Sequence, residues 1–342
     1  MEELKHELEK LSKTYVDTPE KEEKILIPFI KRLLELSVKE RRKFLPTIRE
    51  LQWIKGKFSE TFCDHHRARF LGAVQFVCGN KREMDLGYHI DFNLLCKLLS
   101  LYTPSWLAEY INDAESYLNF NISYEQLMQL IDMGYMQELS PKRIAQILPG
   151  YICIRSSLPK GKDTFNSDLL LKREITLKEH IWYLFELESS IGYHNDRAQT
   201  AYKEGTTSRD ESFSAAFYRF SLDGHLDRNR LLRATLSTFN RSFKKDMVNW
   251  FAGLFEELQP RAEELISLQE EIMQVFTSPY TKPVNVMLQQ LKKIASEGGF
   301  HYQEFIERGT TLFFSSPKNS LLTIYSIFEQ IVTGHPEMKE AC

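Results

Sequence analysis

The sequence predicts an all-α protein, an α-α superhelix of antiparallel helix pairs with little or no sheet. Three observations carry this: helix-start chemistry that recurs along the chain, apolar stripes at helical spacing over 262–332, and a short internal repeat. Hydroxyl-proline pairs at Thr18-Pro19, Thr103-Pro104, Ser140-Pro141 and Ser316-Pro317 mark helix starts. In each, the side-chain oxygen caps free amides, and proline occupies the first turn without losing a hydrogen bond. Ser37 with Glu40, Ser123 with Gln126 and Thr176 with Glu179 have capping-box spacing. Pro28 inside ILIPFI predicts a break or a kink, because it removes one backbone donor. The run FLGAVQFVCG at 70–79 is too short to cross a bilayer and reads as a buried helix. YICIR at 151–155 alternates as a strand should, but it stands alone, and one short strand makes no sheet.

Downstream, Ala262, Leu265, Ile266, Ile272, Met273 and Phe276 recur along one helical face. Val284, Met287, Leu288, Leu291, Ile294 and Ala295 form a second stripe, and Tyr302, Phe305, Ile306, Leu312 and Phe313 a third. Leu321, Ile324, Tyr325, Phe328, Ile331 and Val332 form the last. Breaks at 297–299 and 315–317 fold successive helices back on one another. FTSP at 276–279 recurs as FSSP at 314–317, and PVNVML at 283–288 as PKNSLL at 317–322. A helix pair repeating at this length is the pattern of HEAT, armadillo and TPR arrays. The fixed Trp, Gly and Tyr positions of the TPR are missing, so the spacing favours a HEAT/armadillo-like solenoid. Stripes vanish over 155–175 and 191–212, which read as surface connections. The expected organisation is an N-terminal helical region at 1–150, an irregular connection at 151–212 holding one helix at about 176–190, and helical repeats at 213–342.

Composition narrows the class. The chain has 342 residues, 44 Lys plus Arg against 47 Asp plus Glu, and 42% hydrophobic residues. That describes a packed protein with no global pull toward nucleic acid or anionic lipid. Five widely spaced cysteines and the charged start MEELKHELEK point to reduced thiols in the cytoplasm, without a membrane role.

The segment 222–276, with Gly224, LDRNRLL at 226–232, Trp250-Phe251 and LFEELQP at 254–260, resembles the signature region of an uncharacterised bacterial family of HEAT-like helical proteins. The proline-started helix at 283 and, more weakly, ERRKFLP at 40–46 extend the likeness. The resemblance implies a fold and no activity, so no site residues follow from it. Members of that family are usually longer, with further repeats downstream, so the resemblance implies that a chain ending at HPEMKEAC is either a shortened form or a truncated piece of a longer protein.

Chemistry-bearing clusters are sparse. CysAspHisHis at 63–66, with Cys78, His89 and Cys96, offers metal-ligand types without the close pairs of zinc sites, and Cys78 and Cys96 sit among apolar residues as core side chains do. HisAsnAsp at 194–196 falls in an expected polar loop with nothing around it to build a site. There is no phosphate-cradling glycine loop, GxSxG, HExxH or EF-hand loop. No catalytic residue, cofactor or metal is therefore expected, and the chain reads as a non-enzyme.

Charge is more informative. Arg228, Arg230, Arg233, Arg241, Lys244 and Lys245 precede a glutamate-rich stretch from Glu256 to Glu271. These adjacent helices present opposite signs and pair with each other or steer a charged partner. The first reading of function is a scaffold that binds a protein or peptide, with those six basic residues as candidate partner contacts. The alternative is a nucleic-acid-binding repeat protein that tracks phosphates with the same six residues.

Overall fold

The computed structural model describes residues 1–14, 18–55, 60–62, 65–84, 90–113, 122–155, 161–314 and 318–338. The protein is all-α, with two short two-stranded ladders among the described residues. It divides into two compact units, Met1–Arg143 and Ile144–Cys342.

The first unit holds α1 (Glu2–Ser12), α2 (Pro19–Leu34), α3 (Val38–Arg41), α4 (Leu45–Gln52), α5 (His65–Cys78), α6 (Lys81–Met84), α7 (Phe92–Leu101), α8 (Leu107–Asn112) and α9 (Tyr124–Asp132). The helix α10 (Pro141–Tyr151) spans the division. The centre of the first unit is α5, which packs against α1, α2, α3, α4, α6 and α7. Phe70, Leu71, Ala73, Val74, Phe76 and Val77 are all buried, so this helix is apolar all round, as the run at 70–79 predicts. Two polar insertions pin it. Gln75 accepts from Gln52 Nε2 at 2.9 Å, and Arg69 pairs with Glu22, Glu23 and Asp91. The strands β1 (Trp53–Lys55) and β2 (Glu60–Phe62) pair antiparallel with Ile54 opposite Thr61.

In the second unit, β3 (Cys153–Ile154) pairs with β4 (Thr164–Phe165). The strand expected at 151–155 is thus shorter and has a partner. The helices α11 (Glu174–Lys178), α12 (Tyr183–Glu186), α13 (Ile191–Lys203) and α14 (Phe213–Leu222) follow. Three successive units then have one form, a helix, a 3₁₀ turn and a second helix. They are α15 (Arg228–Ser237) with α16 (Lys245–Glu257), α17 (Ala262–Gln274) with α18 (Thr281–Ile294), and α19 (Tyr302–Thr311) with α20 (Lys318–Gly334). The second helices pack in sequence, α16 on α18 and α18 on α20, and α15 packs on α17. Val284, Met287, Leu288, Leu291 and Ile294 are buried as the stripe requires, whereas Ala262 and Tyr325 are exposed.

Helix-start chemistry holds at Thr18, Ser37, Ser123 and Ser140, each accepting from the amide three residues on. Ser316-Pro317 lies outside the described residues. Four expectations need correction. Thr103 donates back to Leu99 O and α8 begins only at Leu107, so Thr103-Pro104 ends one helix without starting the next. Thr176 is buried inside α11, whose N-cap is Arg173, so it forms no capping box. The helix expected at about 176–190 is instead α11, a 3₁₀ turn at His180–Trp182 and α12. Finally, 191–203 is helical. Its inward side consists of Ile191, Asn195, Ala198 and Ala201, too small and polar to register as an apolar stripe. Pro28 does not break α2, which runs through it. No helix among the described residues is long and apolar enough to cross a membrane.

Candidate functional site

The structure does not bring the six basic residues of 228–245 onto one face. Arg228 is half-buried and fully engaged. Its Nε donates to Glu264 Oε1 at 2.6 Å, its Nη2 to Leu258 O at 2.8 Å and its Nη1 to Ser221 Oγ at 3.2 Å. Burial alone would raise the Glu264 carboxyl, but hydrogen bonds from Arg228 and Arg261 outweigh it and hold the group at about 2. Arg233 pairs with Glu271 on α17. The opposed charges of α15 and α17 thus pair with one another. Arg241 donates to Glu186 O at 3.4 Å, and Lys244 Nζ lies 3.6 Å from Glu188. Arg230 stacks over the Trp182 ring at 3.9 Å from its centroid. Lys245 alone lines a cleft beside α18.

That cleft belongs to a longer groove. α16 turns Met247, Val248, Phe251, Leu254 and Phe255 inward, which leaves Asp246, Asn249, Trp250 and Glu257 on its other side. With Asn195, Asp196 and Gln199 of α13, Ser214 of α14 and Lys282 of α18, they line a cleft of about 370 Å³. Asn249 and Lys282 also line the next cleft, of about 570 Å³, which runs over Tyr280, Thr281 and Asn285. Farther along, Asn285 accepts from Ser320 and Gln289 donates to Thr323 at 2.9 Å, so polar contacts join α18 to α20. Leu322 and Tyr325 of α20 are more than half exposed.

Two atoms in the groove wall set it apart. Trp250 Nε1 and Asn249 Oδ1 are buried, a donor and an acceptor on adjacent residues, and neither has a hydrogen-bond partner among the described residues. Each costs roughly 1–3 kcal/mol while unpaired. The lining carboxylates of Asp196, Asp246 and Glu257 face the single lysine Lys282 in the first cleft, which gives it a negative character. The signal available in the sequence was an amide and an indole side by side, outside the apolar stripe of an amphipathic helix.

The other clusters carry less. His194 lies on α13, packed close to Gly150, and burial first, then Arg197 and Arg155, pushes its imidazole down to about 4. It is neutral at pH 7. Asn195 accepts from the Ser214 amide at 3.0 Å and so ties α13 to α14, while Asp196 of the same run lines the groove. Cys63, Asp64 and His89 lie outside the described residues, as do the side chains of His65 and His66. Burial raises the Cys78 thiol to about 12 and raises Cys96 as well, which disfavours a thiolate at either. Glu270, His301 and Glu304 bring ligand atoms within 4.8 Å of one another. They sit at the surface, and Arg308 already holds Glu304 at 2.7 Å, so the group reads as a charge network.

No curated protein and no solved structure matches the chain. Residues 2–319 match the family described as Domain of unknown function (DUF6493), a span that takes in the groove, the paired charges of α15 and α17, and nearly all of both compact units. The chain belongs to the DUF6493 family.

Proposed function

We propose that the protein is a non-enzymatic scaffold of the cytoplasm. On this reading its C-terminal helices stack as a HEAT-like α-α superhelix and bind a partner protein through an extended peptide segment laid along the groove of α16 and α18. The observation that carries it is the adjacent unpaired acceptor and donor, Asn249 Oδ1 and Trp250 Nε1. A peptide backbone supplies both complements at neighbouring positions, and Lys or Arg side chains of the segment suit Asp196, Asp246 and Glu257. The succession of α16, α18 and α20, each packed on the next, supports the stacking. The free thiols of Cys78, Cys96 and Cys153 fit a reducing compartment. The nucleic-acid reading has less behind it, because Arg228 and Arg233 are spent on Glu264 and Glu271.

The test is selection from a random peptide display library on the full chain. Enrichment of segments carrying Lys or Arg is expected. Asn249→Leu combined with Trp250→Phe should weaken the selected peptides by at least about tenfold, near the ~1.4 kcal/mol equivalent of one hydrogen bond. Equal binding by this variant, or no enriched family, overturns the reading.

A further inference from the structure

A second cleft, of about 510 Å³, lies away from the groove, between the segment Leu171–Trp182 and the start of α15. Its volume falls in the range of small-ligand sites. Leu177 and Leu226 are buried and give it an apolar floor, and Arg173, Lys178, His225 and Arg230 bring basic groups to its wall. Two acidic residues, Glu174 and Asp227, share the lining. Asp227 is already committed, because its Oδ1 caps α15 by accepting from the Arg230 amide at 2.6 Å.

Arg230 is the unusual member. Its guanidinium carbon sits over Trp182, 3.9 Å from the ring centroid. Among the described residues it has no carboxylate in ion-pair range and its side-chain N–H groups have no acceptor, whereas Arg228, two residues earlier, has carboxylate and carbonyl acceptors for its own. A guanidinium seated on an aromatic ring is restrained there while its N–H groups stay available to an oxyanion. Lys178 likewise has no ion-pair partner among the described residues. The Nε1–H of Trp182 is buried and has no acceptor among them either. Two cationic donors, Arg230 and Lys178, therefore border one cavity without protein acceptors among the described residues. Solvation alone accounts for a lone surface lysine. It does not account for a second cation seated on the ring of a buried tryptophan with no protein acceptor for its N–H groups.

We propose that this cleft binds a small-molecule phosphate monoester, with Arg230 gripping the phosphate edge-on, Lys178 balancing its second charge, and the uncharged part of the ligand resting on Leu177 and Leu226. A dianion fits better than a simple carboxylate, because donors approach from both the α15 side and the α11 side, and a tetrahedral oxyanion can accept from several directions at once. The site is independent of the peptide groove, and neither proposal requires the other.

The test uses the full chain, titrated with AMP, with adenosine as its uncharged counterpart, and with inorganic phosphate. Calorimetry and indole fluorescence provide the readouts. AMP should bind saturably, phosphate more weakly, and adenosine not at all, and the fluorescence change should disappear in Trp182→Phe. Arg230→Gln should weaken AMP by about tenfold or more. Arg233→Gln, which loses the surface contacts with Glu271 and Asn229 and lines no part of this cleft, should bind as the parent does. Arg230 is exposed, so its variant keeps the fold, and circular dichroism checks this. A chain that responds to neither AMP nor phosphate overturns the proposal. So does unchanged binding by Arg230→Gln, or a response confined to a phosphoserine peptide.

Discussion

His194 shows how one residue couples packing to pH. Its imidazole lies close to Gly150 and beside two arginines, and its value of about 4 sits well below the ordinary 6.5. In the unfolded chain the ring takes up a proton near 6.5, while in the fold it stays neutral until about 4. The fold's stability from this group is therefore complete above pH 6.5, declines as pH falls toward 4, and falls no further below that. The expected loss across the window is on the order of 2–3 kcal/mol. Denaturant unfolding at pH 7 and pH 4.5 measures it, and His194→Leu should remove most of the difference. A variant with the parent's full pH slope would show that other groups carry the acid sensitivity. The sequence places His194 in a loop, where such a shift has no reason to arise. The error follows from α13 itself, whose inward positions after Ile191 are Asn195, Ala198 and Ala201.

At the scale of elements, Arg228 acts as a clamp. It stands in the first turn of α15, donates to the carbonyls of Leu258 and Gln259 at the end of α16, and pairs with Glu264 in the first turn of α17. Three helices therefore meet on one guanidinium, which also satisfies carbonyls that a helix terminus otherwise leaves to water. Glu264→Gln should destabilise by about 2 kcal/mol at pH 7, as expected for losing a partly buried charged hydrogen bond. Arg233→Ala, from the exposed pair with Glu271, should cost no more than ~1 kcal/mol. Urea unfolding of both variants checks the contrast, and equal costs would mean that Arg228 is not the joint. With its carboxyl held at about 2, Glu264 keeps its contribution above about 4.5 and loses it as pH falls toward 2. The helix pairs from Ala262 onward were legible because their stripes are long and bounded by clear breaks. The pair α15 and α16 repeats the same plan, with Phe239, Phe276 and Phe313 each 37 positions apart, but its 3₁₀ turn, ThrPheAsn, lacks the Ser-Pro that exposed the other two. The groove was not legible. It depends on which helices lie side by side, and Asp196 and Trp250, from α13 and α16, meet only in the fold.

At the scale of the molecule, the question is whether the second unit behaves as a stack or as one indivisible bundle. The contacts run between sequence neighbours, α15 with α16 and α17, α17 with α18, and α18 with α20. In a stack, stability is close to a sum over units and their shared faces, so removing a terminal unit weakens its neighbour and leaves the rest folded. A chain ending at Ser296 lacks α19 and α20 and uncovers the flank of α18 that Ile324, Ile327, Phe328 and Ile331 of α20 help to bury in the full protein. It should keep the helical signal of its remaining residues and a cooperative thermal transition lowered by several degrees, at the ~2–4 °C per kcal/mol expected for a domain of this size. It should also bind a hydrophobic dye. Near-ultraviolet circular dichroism in a Trp53→Phe, Trp106→Phe background, where Trp182 and Trp250 are the tryptophans that remain, decides the matter. A retained signal means that the array tolerates loss of its end, as stacked helix pairs do. A lost signal, with helix content retained, means that α20 completes one common core, and a scaffold built by adding units would then be the wrong description of this chain.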